Sequence, residues 1–109
     1  MIGPTPAVHP GEILREEFLI PLELKPYSLA KALRVPRTRI ERLAREEAPV
    51  TANTALRLAR YFGAGPEFWM NLQTAYDIAI TAPLLSDLSE IHPHQAARPS
   101  CTNSVRRIA

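Results

Sequence analysis

The chain has 109 residues, 46% of them apolar, 22% charged and 6% aromatic, with a formal net charge of +2. That length and apolar content suit one domain with a single small core and leave little room for a second domain or a large cofactor box. No stretch approaches the roughly 18 consecutive apolar residues of a membrane span, and Met1 to Val8 lacks the basic start and apolar run of an export signal, so a cytoplasmic protein is expected. The single cysteine, Cys101, excludes an internal disulfide and has no second cysteine with which to hold zinc.

The first predicted helix opens at "HPGEILREEFL", where Pro10 suits a first turn and Glu12 sits where the helix dipole favours an anion. Ile13, Leu14 and Phe18 give it one apolar stripe, and Pro21 ends it. A second helix is expected from "SLAKALRV", with Ser28 as N-cap and Leu29, Ala30 and Leu33 facing inward. A third runs from Pro36 to Arg45, burying Ile40, Leu43 and Ala44. In "VTANTALRLARYFG", Thr51 caps a fourth helix whose stripe is Ala55, Leu58, Ala59 and Phe62, with Leu56 on its shoulder and Gly63 as a left-handed stop. "GPEFWMNLQTAYDIAI" begins a fifth at Pro66, with Phe68, Trp69, Leu72, Ala75, Tyr76 and Ala79 as its inner face.

No segment of comparable length alternates with period two, so an all-α fold is expected. "PLLSDLSEIH" admits a short sixth helix. Residues 1–92 are assigned to one helix-turn-helix domain, and residues 93–109, polar and aperiodic, to a flexible tail.

The near-neutral total hides a polarised chain. Residues 28–45 hold Lys31, Arg34, Arg37, Arg39, Arg42 and Arg45 against Glu41 alone, whereas the segments on either side are net acidic. One face is thereby suited to a polyanion. A helix-turn-helix needs a tight junction, small or apolar residues at the crossing, and an outward second helix for the major groove. "LAKALRVPRTRIERL" meets these needs: Leu29, Ala30, Leu33, Val35, Ile40 and Leu43 close the inside, and Arg37, Thr38, Glu41, Arg42 and Arg45 are left outside. The last five share one face of a straight helix, with Arg39 partly off it and directed to phosphate or solvent. Ser28 and Lys31 complete the candidate DNA-binding set from the preceding helix.

An arginine fork matches the two acceptors of guanine and grips phosphate bidentately, where an ammonium acts as a point charge. Thr38 suits a thymine methyl, and Glu41 either accepts from cytosine or holds Arg37 or Arg45 by i,i+4 pairing. The competing reading of such a charge run is a solvated face laced with intrahelical ion pairs; the turn chemistry and acidic flanks argue against it.

"HPGEILREEFL", "LAKALRVPRTRI", "TANTALRLARYFG" and "PEFWMNLQTAYDI", in this order from about His9 to Ile80, resemble the HigA-type antitoxins, within the Xre/Cro-like (lambda-repressor-like) helix-turn-helix class. The resemblance implies a five-helix fold and a homodimer that binds double-stranded operator DNA and represses its own operon. It further implies a cognate toxin, a RelE/HigB-like messenger-cleaving ribonuclease neutralised by direct binding. Three positions depart from the wider class. Pro36 replaces a hydroxyl at the start of the recognition helix, Arg34 replaces a glycine before the turn, and "REEAPV" replaces an Asn-Gly loop followed by basic residues. Glu46 and Glu47 are expected to weaken the grip on phosphate wherever they face it.

The remaining features read as structure. The aromatic spacing of Phe68, Trp69 and Tyr76 fits packing better than a ligand cage, and His92 and His94 lack a third ligand for a metal. Glu12, Glu16 and Glu17 form a solvated face, with an electrostatic contact to a basic toxin as its functional version. No nucleophile with a base, metal set or phosphate-cradling glycine loop is present, so neither an enzyme nor a cofactor is expected. The alternative to an antitoxin is a stand-alone Xre-family regulator without a partner toxin.

Overall fold

His9 starts the fold, because its extended backbone and buried imidazole together launch the first helix. Its Nδ1 accepts the Gly11 N–H at 2.8 Å, and α1, Pro10–Ile13, follows. The computed structural model describes residues 7–95, and among them every regular element is helical. The tail expected over residues 93–109, Cys101 included, lies outside the described residues from position 96 onward.

Past Ile13 the coil widens into a π-helical segment, Leu14–Leu19, closed by the Ile20 N–H donating to the Arg15 carbonyl at 3.0 Å. Pro21 has no N–H with which to continue an α ladder, so the chain turns away there as expected. Leu14 and Leu19 are buried, and Ile13 and Phe18 lie against the core.

Helix α2, Pro26–Leu33, begins earlier than expected. Lys25 is the N-cap and Pro26 the first helical residue, so Ser28 lies within the first turn and caps nothing. Proline's fixed φ makes it the stronger start signal. Helix α3, Arg37–Ala44, is one residue shorter at each end than the sequence suggests, with Pro36 as an N-cap lacking a side-chain hydrogen bond and Arg45 at the C-cap. Thr51 caps α4, Ala52–Phe62, accepting the Thr54 N–H at 3.3 Å, and Gly63 ends it at φ 92°. Helix α5 spans Pro66–Thr81.

The core gathers Leu14, Leu29, Ile40, Leu43, Leu58 and Trp69, all fully buried, each contributing about 1.5–3 kcal/mol. The expected stripes of α2, α3 and α4 are found, with Leu56 left largely exposed on the shoulder. That of α5 is not. Trp69 is buried and Leu72 and Tyr76 half-buried, but Phe68, Ala75 and Ala79 are exposed. Polar Gln73 is buried instead, its Oε1 accepting the Val50 N–H at 2.7 Å and its Nε2 donating to Asp77 at 2.9 Å. Only the first part of α5 has core to cover, and Ile78 and Ile80 emerge beyond it at 62% and 44% exposure.

No sixth α-helix forms among the described residues. Two single 3-10 turns, Ala82–Leu84 and Leu88–Glu90, take its place, because Pro83 interrupts the ladder and Leu84, Leu85, Leu88 and Ile91 find no core to bury them.

Three helices end on a left-handed residue that is not glycine: Glu23, Arg34 and Glu46. Around Arg34 the Arg34 N–H reaches the Lys31 carbonyl and the Val35 N–H the Ala30 carbonyl, at 3.2 and 3.0 Å. The same pairing recurs at Glu46, which is the Schellman arrangement. Each such residue costs about 1–2 kcal/mol relative to glycine, offset by the carbonyls it satisfies.

Helix α1 meets the end of α3 backbone to backbone. A Cβ on Gly11 would fall on the carbonyl oxygen of Leu43, closer than any real side-chain contact allows. Gly11→Ala is therefore expected to destabilise the protein by about 3 kcal/mol, read as a drop in the urea midpoint with unchanged slope; an unaltered midpoint would refute this packing.

His9 generates a second expectation. It is 4% exposed and stacked edge-on to Tyr76 at 4.7 Å, and burial lowers its pKa below the ordinary 6.5, against an opposing pull from Glu46 and Asp77. The unfolded chain thus takes up this proton more readily than the folded one, so stability is complete above pH 6.5 and falls as the pH drops below it. Thermal melts should move down between pH 7 and 5, and His9→Asn, which keeps an N-cap acceptor without titrating, should flatten that slope. Equal slopes in the two proteins would remove His9 as the cause.

Candidate nucleic-acid interface

Helices α2 and α3 cross over the turn of Arg34, Val35 and Pro36. Leu29, Ala30 and Leu33 on one side and Ile40, Leu43 and Ala44 on the other are all buried, with Ala30 at 1% exposure where the helices meet. This inward set fixes the rotation of α3, and rotation decides which side chains face out. Thr38, Arg42 and Arg45 are exposed, Arg37 keeps 60% of its side chain exposed, and Glu41 retains 30%. Ser28 and Lys31, one turn apart on α2, are also exposed. Arg39 is half-buried and off this face, as its position on the helix suggests.

The arginines divide into those the fold uses and those it leaves free. Arg15 donates to the Ala44 carbonyl at 2.6 Å and to Glu46 at 3.1 Å, and pairs with Glu16 at 3.0 Å. A cation is thereby held on the last carbonyls of α3, where the helix dipole favours it. Its hydrogen bonds to Glu16 and then to Glu46 push its pKa up, reinforcing a charge that is already permanent. Arg57 does the same for α2, donating to the Leu33 carbonyl at 2.8 Å. Asn53 accepts from both Arg57 and Arg39, at 2.9 and 3.0 Å. Arg37 approaches Glu41 through Nε at 3.3 Å.

By contrast, the side chains of Lys31, Arg34, Arg42 and Arg45 make no hydrogen bond or ion pair among the described residues. Free, exposed guanidinium groups one turn apart on one helix face can donate to base edges or to phosphate without first breaking an internal bond. Between α3 and the segment leading to α4 lies a hollow of about 460 Å³ lined by Thr38, Arg39, Arg42, Thr51 and Asn53.

Glu46 is not a free charge, because Arg15 holds it toward the π-helical segment. Sequence reasoning missed both helix-capping arginines. Arg15 is 29 positions from Ala44 and Arg57 is 24 from Leu33, so no local spacing connects them.

No family model matches the chain. It is 58% identical over 73 residues to virulence-associated protein I of Dichelobacter nodosus, covering 67% of this chain and 68% of that protein. Against antitoxin HigA-1 of Vibrio cholerae it is 40% identical over 68 residues, covering 62% and 64%. Among solved structures, an addiction module antidote protein of the HigA family from Coxiella burnetii superposes with a TM-score of 0.77 at 40% identity, covering 83% of this chain and all of that one. Pseudomonas aeruginosa antitoxin HigA, solved with the higBA promoter, gives 0.76 at 37% identity over 84% of this chain and all of that one. Antitoxin GraA in complex with its operator gives 0.79 at 36% identity, covering 88% and 99%. Shared sequence over most of the core and a shared arrangement of five helices mean that the chain belongs to the HigA family of helix-turn-helix antitoxins.

Proposed function

We propose that this protein is a DNA-binding antitoxin: it represses its own toxin-antitoxin operon through α2 and α3, and it neutralises a RelE/HigB-like messenger-cleaving toxin by direct binding. The observation that carries the DNA half is the exposed, unpaired state of Arg42 and Arg45 on the outward face of α3. Arg42 with Arg37 and Thr38 reads base edges, while Ser28, Lys31, Arg39 and Arg45 hold phosphate. The domain responsible is residues 1–92. The structures of P. aeruginosa HigA with the higBA promoter and of GraA with its operator support this reading. The toxin half rests on family membership alone.

The apolar residues that the core leaves uncovered support a dimer. Ile78, Ile80, Leu84, Leu85, Leu88 and Ile91, at the end of α5 and just beyond, are 44–78% exposed. Pairing two copies there removes them from water and sets two recognition helices on one duplex. Two-fold symmetry then requires a palindromic operator with half-sites about 34–36 Å apart.

Arg42→Ala is expected to weaken operator binding by about 1–3 kcal/mol per half-site and to relax choice at one base pair, while leaving thermal stability and any toxin complex intact. Titration of fluorescent duplexes checks this, and undiminished selectivity would refute the role given to Arg42. The phosphate contacts carry their own test. With six or more of them, affinity should fall by about 1,000-fold or more between about 50 and 200 mM salt. A flat salt response would remove the electrostatic basis of the proposal. Co-expression with the product of the adjacent gene tests the toxin half: failure to co-purify would leave a stand-alone regulator.

A further inference from the structure

Most of the outward face of α3 follows from the cation-phosphate attraction already described, but its one carboxylate does not. Glu41 is the only acid on a face offered to a polyanion, and its proximity to phosphate weakens non-specific attraction. Helix stability does not account for it. Arg37 is the first residue of α3, the end at which the helix dipole disfavours a cation. An arginine placed four residues before a glutamate is also the weaker orientation of an i,i+4 pair. Glu41 has Arg45 four residues further on, in the favourable orientation, yet its ion pair is with Arg37. That pair is an ion pair without a hydrogen bond. Glu41 Oε2 lies 3.3 Å from Arg37 Nε, the inner nitrogen of the guanidinium, and Glu41 is 30% exposed where Arg37 is 60% exposed. Glu41 lies beside the root of the fork, and most of the Arg37 side chain is left toward solvent.

We propose that Glu41 is a positioning residue for sequence reading: it holds Arg37 by Nε so that the terminal Nη1 and Nη2 meet the O6 and N7 of one guanine. The inference rests on the DNA-binding reading above and adds to it the residue that sets specificity at that base pair. A guanidinium on a flexible stem loses rotamer freedom when it docks, and a carboxylate paired behind it removes part of that loss in advance. Fixing its direction also denies the same arginine the neighbouring base and the phosphates, which is where a free arginine would spread its contacts. Glu41 therefore trades general affinity for selectivity.

The test is selection from a random-sequence duplex library, followed by binding titrations on single-base-pair variants of the preferred site, with the full-length protein and Arg37→Ala, Glu41→Ala, Glu41→Gln and the Arg37→Ala/Glu41→Ala double variant. Thermal melting serves as the folding control, with Glu41→Gln as the milder change should Glu41→Ala melt early. The wild type should prefer one guanine by about 5- to 150-fold, the range of a good bidentate contact. Arg37→Ala and Glu41→Ala should each reduce that preference at the same base pair, Glu41→Gln should retain part of it, and the double variant should be no less selective than Arg37→Ala. Binding of Glu41→Ala to unselected DNA should stay equal or rise. Full selectivity in Glu41→Ala would overturn the inference, as would a loss confined to a cytosine that Arg37→Ala leaves untouched, which would make Glu41 a direct reader. A wild type without any base preference would instead sink the DNA-binding reading itself.

Discussion

The placement of α3 depends on one contact between backbones, Gly11 of α1 against the carbonyl of Leu43. Only a residue without a side chain lets these helices approach so closely, and the approach brings Arg15 within reach of the Ala44 carbonyl. Glycine, arginine and the buried Ile40, Leu43 and Ala44 then act together on one helix. They hold its inner face in the core, satisfy its last carbonyls and leave it a single rotation. An outward face is a consequence of that constraint, with Arg39 tied sideways to Asn53 of α4.

The same economy appears in how charge is distributed. Arg15 and Arg57 neutralise the C-terminal ends of the two helices of the motif, and Asn53 ties Arg39 and Arg57 to one oxygen. Glu46, in a left-handed turn at the close of α3, is drawn toward the π-helical segment by Arg15. The Arg15 pair thereby offsets the charge of Glu46, while Glu47 stays exposed and, among the described residues, unpaired. Arg42 and Arg45 stay unpaired, and an unpaired exposed cation breaks no internal bond when it meets DNA.

Much of this was legible in the sequence, because local rules govern it. Pro10, Pro66, Thr51 and Gly63 mark helix ends through fixed φ, a hydroxyl acceptor and a positive φ, and all four act as those rules require. The inner faces of α2 and α3 follow from spacing alone. Ser28 misled because Pro26, two residues earlier, is a better start than a serine cap. The inner face of α5 misled for a different reason: periodicity says which residues share a face, not whether anything covers them. Ala75 and Ala79 lie past the edge of the core, and Gln73 is buried because its amide serves the Val50 N–H. Gly11 and the two capping arginines were invisible, since their partners are distant in the chain and fixed only by the packing.

The fold holds Arg15 and Arg57 as internal caps and leaves Arg42 and Arg45 unpaired, and we propose that the unpaired ones meet DNA. Side-chain Nε–Hε signals of arginine, followed by NMR as an operator duplex is added, test that division directly. Arg42 and Arg45 should shift or broaden at stoichiometric DNA while Arg15 and Arg57 stay where they are in the free protein. Large shifts of Arg15 and Arg57, with Arg42 unmoved, would contradict it.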